Sequence, residues 1–206
     1  MTTTSTASVL STWHVDTSHS QVGFKVRHLG FSKVKGTFQD FNVVVHFDGT
    51  DLASLETEVT IQAASIDTGN SDRDNHLRSG DFFEAETFPT LEFKSRSVTP
   101  HGEDEFDMEG DLTIHGVTKS VVLKGEFHGH ATDPWGNQRV AFEARTRINR
   151  KDFDLTWNQV LETGGLLVSE EVEITVDIQA VLAGENLEGT QIPATYTMDV
   201  DKVKTR

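Results

Sequence analysis

The chain has 206 residues, with 18 Lys and Arg against 33 Asp and Glu, a formal net charge of −15. That length suits one domain with a single large core, or one domain plus a tail. So acidic a surface repels phosphate backbones and anionic membranes, and the absence of cysteine excludes disulfides, thiolate chemistry and cysteine-ligated zinc.

Residues 1–11 read as a flexible segment. They hold no basic region, and no apolar stretch precedes Trp13, so a cytoplasmic address is expected. No later stretch approaches the apolar length of a spanning helix. Trp13–Asp16 is a short opening strand. Period-two alternation then sets in, with Val22, Phe24, Val26 and His28 on one face and Gln21, Gly23, Lys25 and Arg27 on the other. Val34, Gly36 and Phe38 share the next apolar face, and Phe41, Val43, Val45 and Phe47 the one after. The parity change between Phe38 and Phe41 predicts a bulge or corner in one long strand.

Leu55, Thr57, Val59, Ile61 and Ala63 continue the series. Alternation then stops from Thr68 to Pro89. Asn70 or Ser71 can cap a short helix there, Asp72 and Asp74 suit its first turn, and Gly80 can end it. With Phe82, Phe83 and Phe88 as aromatic anchors, this insert reads as a helical flap at one barrel end. Strands return with Leu91 and Phe93, then with Phe106, Met108, Gly110, Leu112 and Ile114. His115-Gly116 is a hairpin turn leading into Val121, Leu123, Gly125 and Phe127. Asp133-Pro134-Trp135-Gly136-Asn137 makes the next turn. Val140 to Ile148 and Val172 to Ala180 close the set, and the stretch 183–206 is a C-terminal extension without alternation.

Eight or nine strands at hairpin spacing suit a sandwich or a barrel. Long strands with one apolar face favour closure, which also removes sheet edges. Thirteen Phe against one Tyr and three Trp suit a dry interior, because Phe has no hydroxyl to satisfy. Gly36, Gly110, Gly125 and Gly129 fall in the apolar register. They bend the strands, or they remove volume from the centre and leave room for a ligand.

Little else carries chemistry. His128 and His130 are two apart on a strand, so they share a face, but a metal needs further ligands. His28 shares the apolar face and reads as a hydrogen-bonded interior histidine before it reads as a base. Arg73, Asp74 and His76 suit capping and ion pairing on the flap. No nucleophile elbow, phosphate-binding loop or dinucleotide fingerprint is present.

Taken in order, Trp13-His-Val-Asp16 with His19-Ser20, Phe24-Lys-Val26-Arg-His28, Ser65-Ile-Asp-Thr68, Arg73-Asp-Asn-His-Leu77 and Asp81-Phe-Phe83 resemble the first half of the YceI-like proteins. Phe88-Pro89-Thr-Leu-Glu-Phe93, Gly110 to Lys119 and Ile148-Asn-Arg150-Lys-Asp-Phe153 resemble the second half, so the likeness runs from Trp13 to about Leu182. The resemblance implies an all-β fold: an extended eight-stranded antiparallel, lipocalin-like barrel over residues 12–182, with the short helical flap. It also implies a polyisoprenoid or similar long-chain lipid in the lumen and, often, a homodimer. Many members are periplasmic; with no signal peptide read in its first residues, this chain is expected to depart from them.

The expected function is therefore binding of a polyisoprenoid, isoprenoid quinone or similar lipid for storage, transport or sequestration. The rivals are an enzyme acting on a lipid within the barrel, with His28 as the one inward candidate base, and a broad scavenger of hydrophobic molecules. No cofactor and no metal is expected beyond the lipid itself, and no nucleic acid or stable membrane insertion. Phe24, Val26, Phe38, Leu91 and Phe93 are the expected lining from the first half of the chain. Met108, Leu112, Leu123, Phe142 and Ile174 are the expected lining from the second. Phe82 and His28 join them, and Arg73 and His76 are the polar candidates at the mouth. Each buried five-carbon unit is worth about 4 kcal/mol gross. Three or four units then approach the practical limit of about 18–21 kcal/mol, before ordering costs.

Overall fold

The structure, a computed structural model, describes residues 10–162 and 165–184. The N-terminal segment 1–11 and the C-terminal extension 183–206 therefore fall almost wholly outside the described residues. Eleven strands form one antiparallel sheet: β1 (Ser11–Val15), β2 (Gln21–His28), β3 (Ser32–Phe38), β4 (Phe41–Phe47), β5 (Glu56–Gln62), β6 (Ile66–Asp67), β7 (Thr90–His101), β8 (Glu105–Ile114), β9 (Val117–Thr132), β10 (Gln138–Asn149) and β11 (Val168–Leu182). The order β1-β4-β5-β7-β8-β9-β10-β11 returns to β1, because β11 pairs with β1 at Trp13–Leu182 and Val15–Ala180. The barrel thus has eight strands and no free edge along that ring, as expected for an extended lipocalin-like barrel.

The three remaining strands are continuations past corners. β1 and β2 are separated by a helical turn at Thr17–His19, β3 and β4 by Gln39 and Asp40, and β5 and β6 by a helical turn at Ala63–Ser65. The corners are tied together: Gln39 N–H donates to the Ser65 carbonyl and Gln62 N–H to that of Asp40. Phe38 and Phe41 both point inward although three residues apart, which is the parity change seen in the sequence.

Turn chemistry follows the backbone. His115 and Gly116 both have positive φ, at 51° and 73°, the condition for the tight hairpin that twists with its strands. A second irregularity lies at Gly129 (φ 94°), where pairing jumps from Phe127–Phe142 to His130–Val140. The extra residue places His130 on the Phe127 face and leaves His128 on the opposite one. The expectation that the two histidines share a face is corrected by this bulge. Among the described residues no three His, Asp or Glu are grouped to hold a metal.

The two barrel ends are built differently. At the end holding the start of β1, Phe47 meets Phe127 and Phe142 at 5.5 and 5.8 Å between ring centroids, and Phe127 meets Phe142 at 5.0 Å. Trp13 Nε1–H donates to the Phe47 carbonyl at 3.2 Å. Beside this plug, Arg139 lies between two carboxylates, at 2.7 Å from Asp16 and 2.8 Å from Asp133. Burial opposes ionisation of Asp16, but hydrogen bonds from Ser18, Arg139 and His19 outweigh it and lower its pKa. Asp133 is likewise held down, to about 2: desolvation opposes this, and bonds from Arg139, Asn137 and Trp135 prevail.

The flap covers part of the other end. Its helix α1 (Ser71–Arg78) starts at Asn70, whose Oδ1 accepts from Arg73 N–H. It ends at Ser79, whose N–H and Oγ–H both donate to the His76 carbonyl. Gly80 is not the terminator, since its φ is not positive. Arg78 donates to the carbonyls of Ala64 and Ile66, fixing the helix to the β5–β6 corner.

Candidate functional site: the barrel lumen

Inside the ring lies a cavity of about 130 Å3. Of the expected lining, Phe24, Phe38, Leu91, Phe93, Met108, Leu112, Leu123, Phe142 and Ile174 all border it. Val43 and Val45 from β4, with Val59 and Ile61 from β5, supply a wall that sequence reasoning did not single out. Their alternation was visible, but alternation reports a face and not which stretch of that face borders empty space. Among the described residues, Thr57 and Thr146 bring the only hydroxyls to the lining, and Thr146 donates its own to the Val122 carbonyl at 2.8 Å. Among the described residues, none of those lining the cavity carries a titratable side chain.

The inward glycines act differently from the expectation. A β-carbon at Gly36 would collide with the Phe24 ring and come within 2.8 Å of the Thr68 methyl. At Gly110 it would meet the Phe93 ring, and at Gly125 the Phe106 ring. Phe24 and Gly36 are direct cross-strand partners, as are Phe106 and Gly125. Each glycine is therefore a seat on which a neighbouring phenylalanine lies against the wall. They do not empty the centre by omission; they keep bulky rings from projecting across it.

Exposure of the inward residues rises along the barrel. On β11, Ile178 and Ala180 are buried, whereas Val172, Ile174 and Val176 are half-buried. On β10, Val140 and Phe142 are buried, whereas Ala144, Thr146 and Ile148 are half-buried. The lumen is closed at the Phe47–Phe142 end and opens between β2, β11 and β10. Val26 pairs with Val34 and Val172, and His28 with Ser32 and Val168, so both lie at this rim, above the lining proper.

The flap candidates lie outside the lumen. Phe82 packs on Trp157 at 5.2 Å and against His76, away from the cavity. Its neighbour Phe83 is the ring that reaches the lining, at 6.0 Å from Phe38. Arg73 donates to the hydroxyl and carbonyl of Thr68, while Asp74 accepts from the Thr68 N–H and hydroxyl, so the pair fixes the start of the flap. His76 Nε2 lies 2.8 Å from Asp81 and its ring stands edge-on to Trp157. Both polar candidates hold the flap together and neither borders the cavity. Arg150 was missed as a supporting residue. It is buried and donates to the carbonyls of Ser169 and Leu155, fixing the segment after β10 beside β11.

A closed antiparallel barrel with an apolar, one-ended lumen defines a lipocalin-like binding scaffold. The chain belongs to the YceI-like domain family, whose match spans residues 13–180. It is 40% identical to Protein YceI of Escherichia coli O157:H7 over 163 residues, 79% of this chain and 82% of that protein. Among solved structures it resembles Burkholderia cenocepacia BcnA, with a TM-score of 0.71 at 25% identity over 80% of this chain and 98% of the other. A polyisoprenoid binding domain from Saccharophagus degradans shares the fold, with a TM-score of 0.64 at 17% identity, covering 84% and 99% of the two chains.

Proposed function

We propose that this protein binds a long-chain apolar lipid, of the polyisoprenoid or isoprenoid-quinone class, in the barrel lumen for storage, transport or sequestration. One observation carries the reading: a deep cavity with an almost wholly apolar wall, plugged by aromatic rings at one end and open at the other. From Phe142 to Thr146 the wall on β10 runs for about 13 Å of strand, and an extended apolar chain fits along it. An apolar tail enters to escape water, and a polar head group stays at the rim near Val26, Ile148 and His28.

The same lining argues for binding over catalysis. General acid–base chemistry needs a titratable group within reach of the reacting atoms, and His28 sits at the rim, outside the lining. The polyisoprenoid binding described for the Saccharophagus degradans domain agrees with this reading of the shared fold.

The test is mass spectrometry of an organic-solvent extract of protein purified without detergent. A stoichiometric lipid carrying one long apolar chain is the expected result. Protein that contains no lipid and takes up neither polyprenol nor quinone would overturn the reading, and equal affinity for unrelated hydrophobic compounds would replace it with a scavenger.

A further inference from the structure

Charge is distributed unevenly over this acidic chain. Residues 17–39 contain no Asp or Glu, yet they hold Lys25, Arg27, Lys33 and Lys35. These four lie on the outward face of the β2–β3 hairpin, where Lys25 is directly opposite Lys35 and Arg27 directly opposite Lys33. Like charges facing each other across a strand pair destabilise it. Lys25 is paired with Glu173 on β11. Among the described residues Arg27, Lys33 and Lys35 form no close ion pair, and Lys33 acts on Glu173 only through space.

The turn of the same hairpin is apolar and exposed. Leu29 is 38% and Phe31 80% exposed, about the positive-φ residues Leu29 and Gly30. Val160, also 80% exposed, and Leu166 lie on the adjacent segment, which the Leu29 N–H joins through the Leu167 carbonyl. Clustered exposed apolar side chains mark an interaction surface. An apolar tip flanked on its hairpin by cations without close ion pairs matches an anionic lipid bilayer: aromatic and aliphatic groups enter the headgroup region, and Lys and Arg meet phosphates. Nucleic acid would meet the cations but offer the tip no apolar phase.

We propose that the β2–β3 hairpin docks the protein on an anionic lipid bilayer, with Leu29 and Phe31 in the headgroup region and Arg27, Lys33 and Lys35 on lipid phosphates. The net charge of −15 repels such a surface at long range, but at ordinary ionic strength the field beyond about 10 Å is screened and the nearest charges decide. The hairpin is also the rim of the open barrel end, so docking sets the lumen mouth against the lipid. The inference goes beyond the cargo reading and does not depend on it.

The test is flotation of the full chain with vesicles of phosphatidylcholine, alone or mixed two to one with phosphatidylglycerol. Association with the mixed vesicles, weakening as salt is raised, is expected. Phe31→Ala should weaken it about tenfold or more, and Lys33→Ser with Lys35→Ser together about 25-fold, with unchanged circular dichroism and unchanged lipid content. No association with mixed vesicles, or association that ignores charge and Phe31, overturns the proposal. So does a concentration-dependent dimer that Phe31→Ala abolishes without any vesicle binding, which would assign the surface to a second copy of the chain.

Discussion

The two ends of the barrel carry the same alternation and do opposite things. At the closed end, Phe47, Phe127 and Phe142 meet across the interior, backed by the buried Asp16–Arg139–Asp133 network. At the open end, Val26, Ile148 and Val172 occupy equivalent inward positions and remain half-buried. The difference lies in what stands opposite each inward residue. Large rings that face each other fill the bore. Aliphatic side chains, and rings held flat on glycine, leave it open.

The largest expected effect comes from breaking the closed end. Arg139→Met leaves two buried carboxylates without their cation and should cost about 3–5 kcal/mol in denaturant unfolding. A loss under about 1 kcal/mol would show that the network does not brace the plug. The variant should also change the acid response. Both carboxyls have folded pKa values below their unfolded ones, that of Asp133 at about 2. Their stabilisation is complete above the unfolded value near 4 and is lost as pH falls from there towards about 2. Acid unfolding curves of Arg139→Met should show a shallower slope across that window than the parent chain.

Glycine seating comes next. Gly125→Val displaces the Phe106 ring into the bore, and should cost about 1–3 kcal/mol while reducing lipid uptake. If uptake is unchanged, the glycines do not keep the lumen clear. Ile174→Trp narrows the open half directly. It should lower affinity for a long-chain lipid about tenfold while changing stability by less than about 1.5 kcal/mol, as read by paired uptake and unfolding titrations. The smallest effect is expected at the flap. His76→Ala removes the ring that joins Asp81, Phe82 and Trp157 and should cost about 1 kcal/mol. Faster hydrogen exchange over residues 71–89 and faster lipid release would show it.

Much of the open end was legible in the sequence. Alternation named nine residues that border the cavity, and the parity change after Phe38 marked a real corner. His115-Gly116 and Asp133–Asn137 were readable because turn residues carry their own backbone requirements. Position along the bore was not readable, since period two gives a face and no depth. Hence Val26 and His28 were placed in the lining although they stand on the rim. Nor did the flap yield to pattern. Phe82 and Phe83 are adjacent and alike, and only tertiary packing sends one to Trp157 and the other to Phe38. The bulge at Gly129 was invisible for a similar reason: one inserted residue reverses the face of His130 without altering composition.

The most direct test of an open, lipid-holding lumen is a crystal structure of the protein loaded with an all-trans polyprenol. Continuous ligand density is expected, its tail against Phe106 and Phe142 and its hydroxyl at the rim beside Val26 and His28. A bore closed by side chains, with the polyprenol bound elsewhere or not at all, would contradict the account.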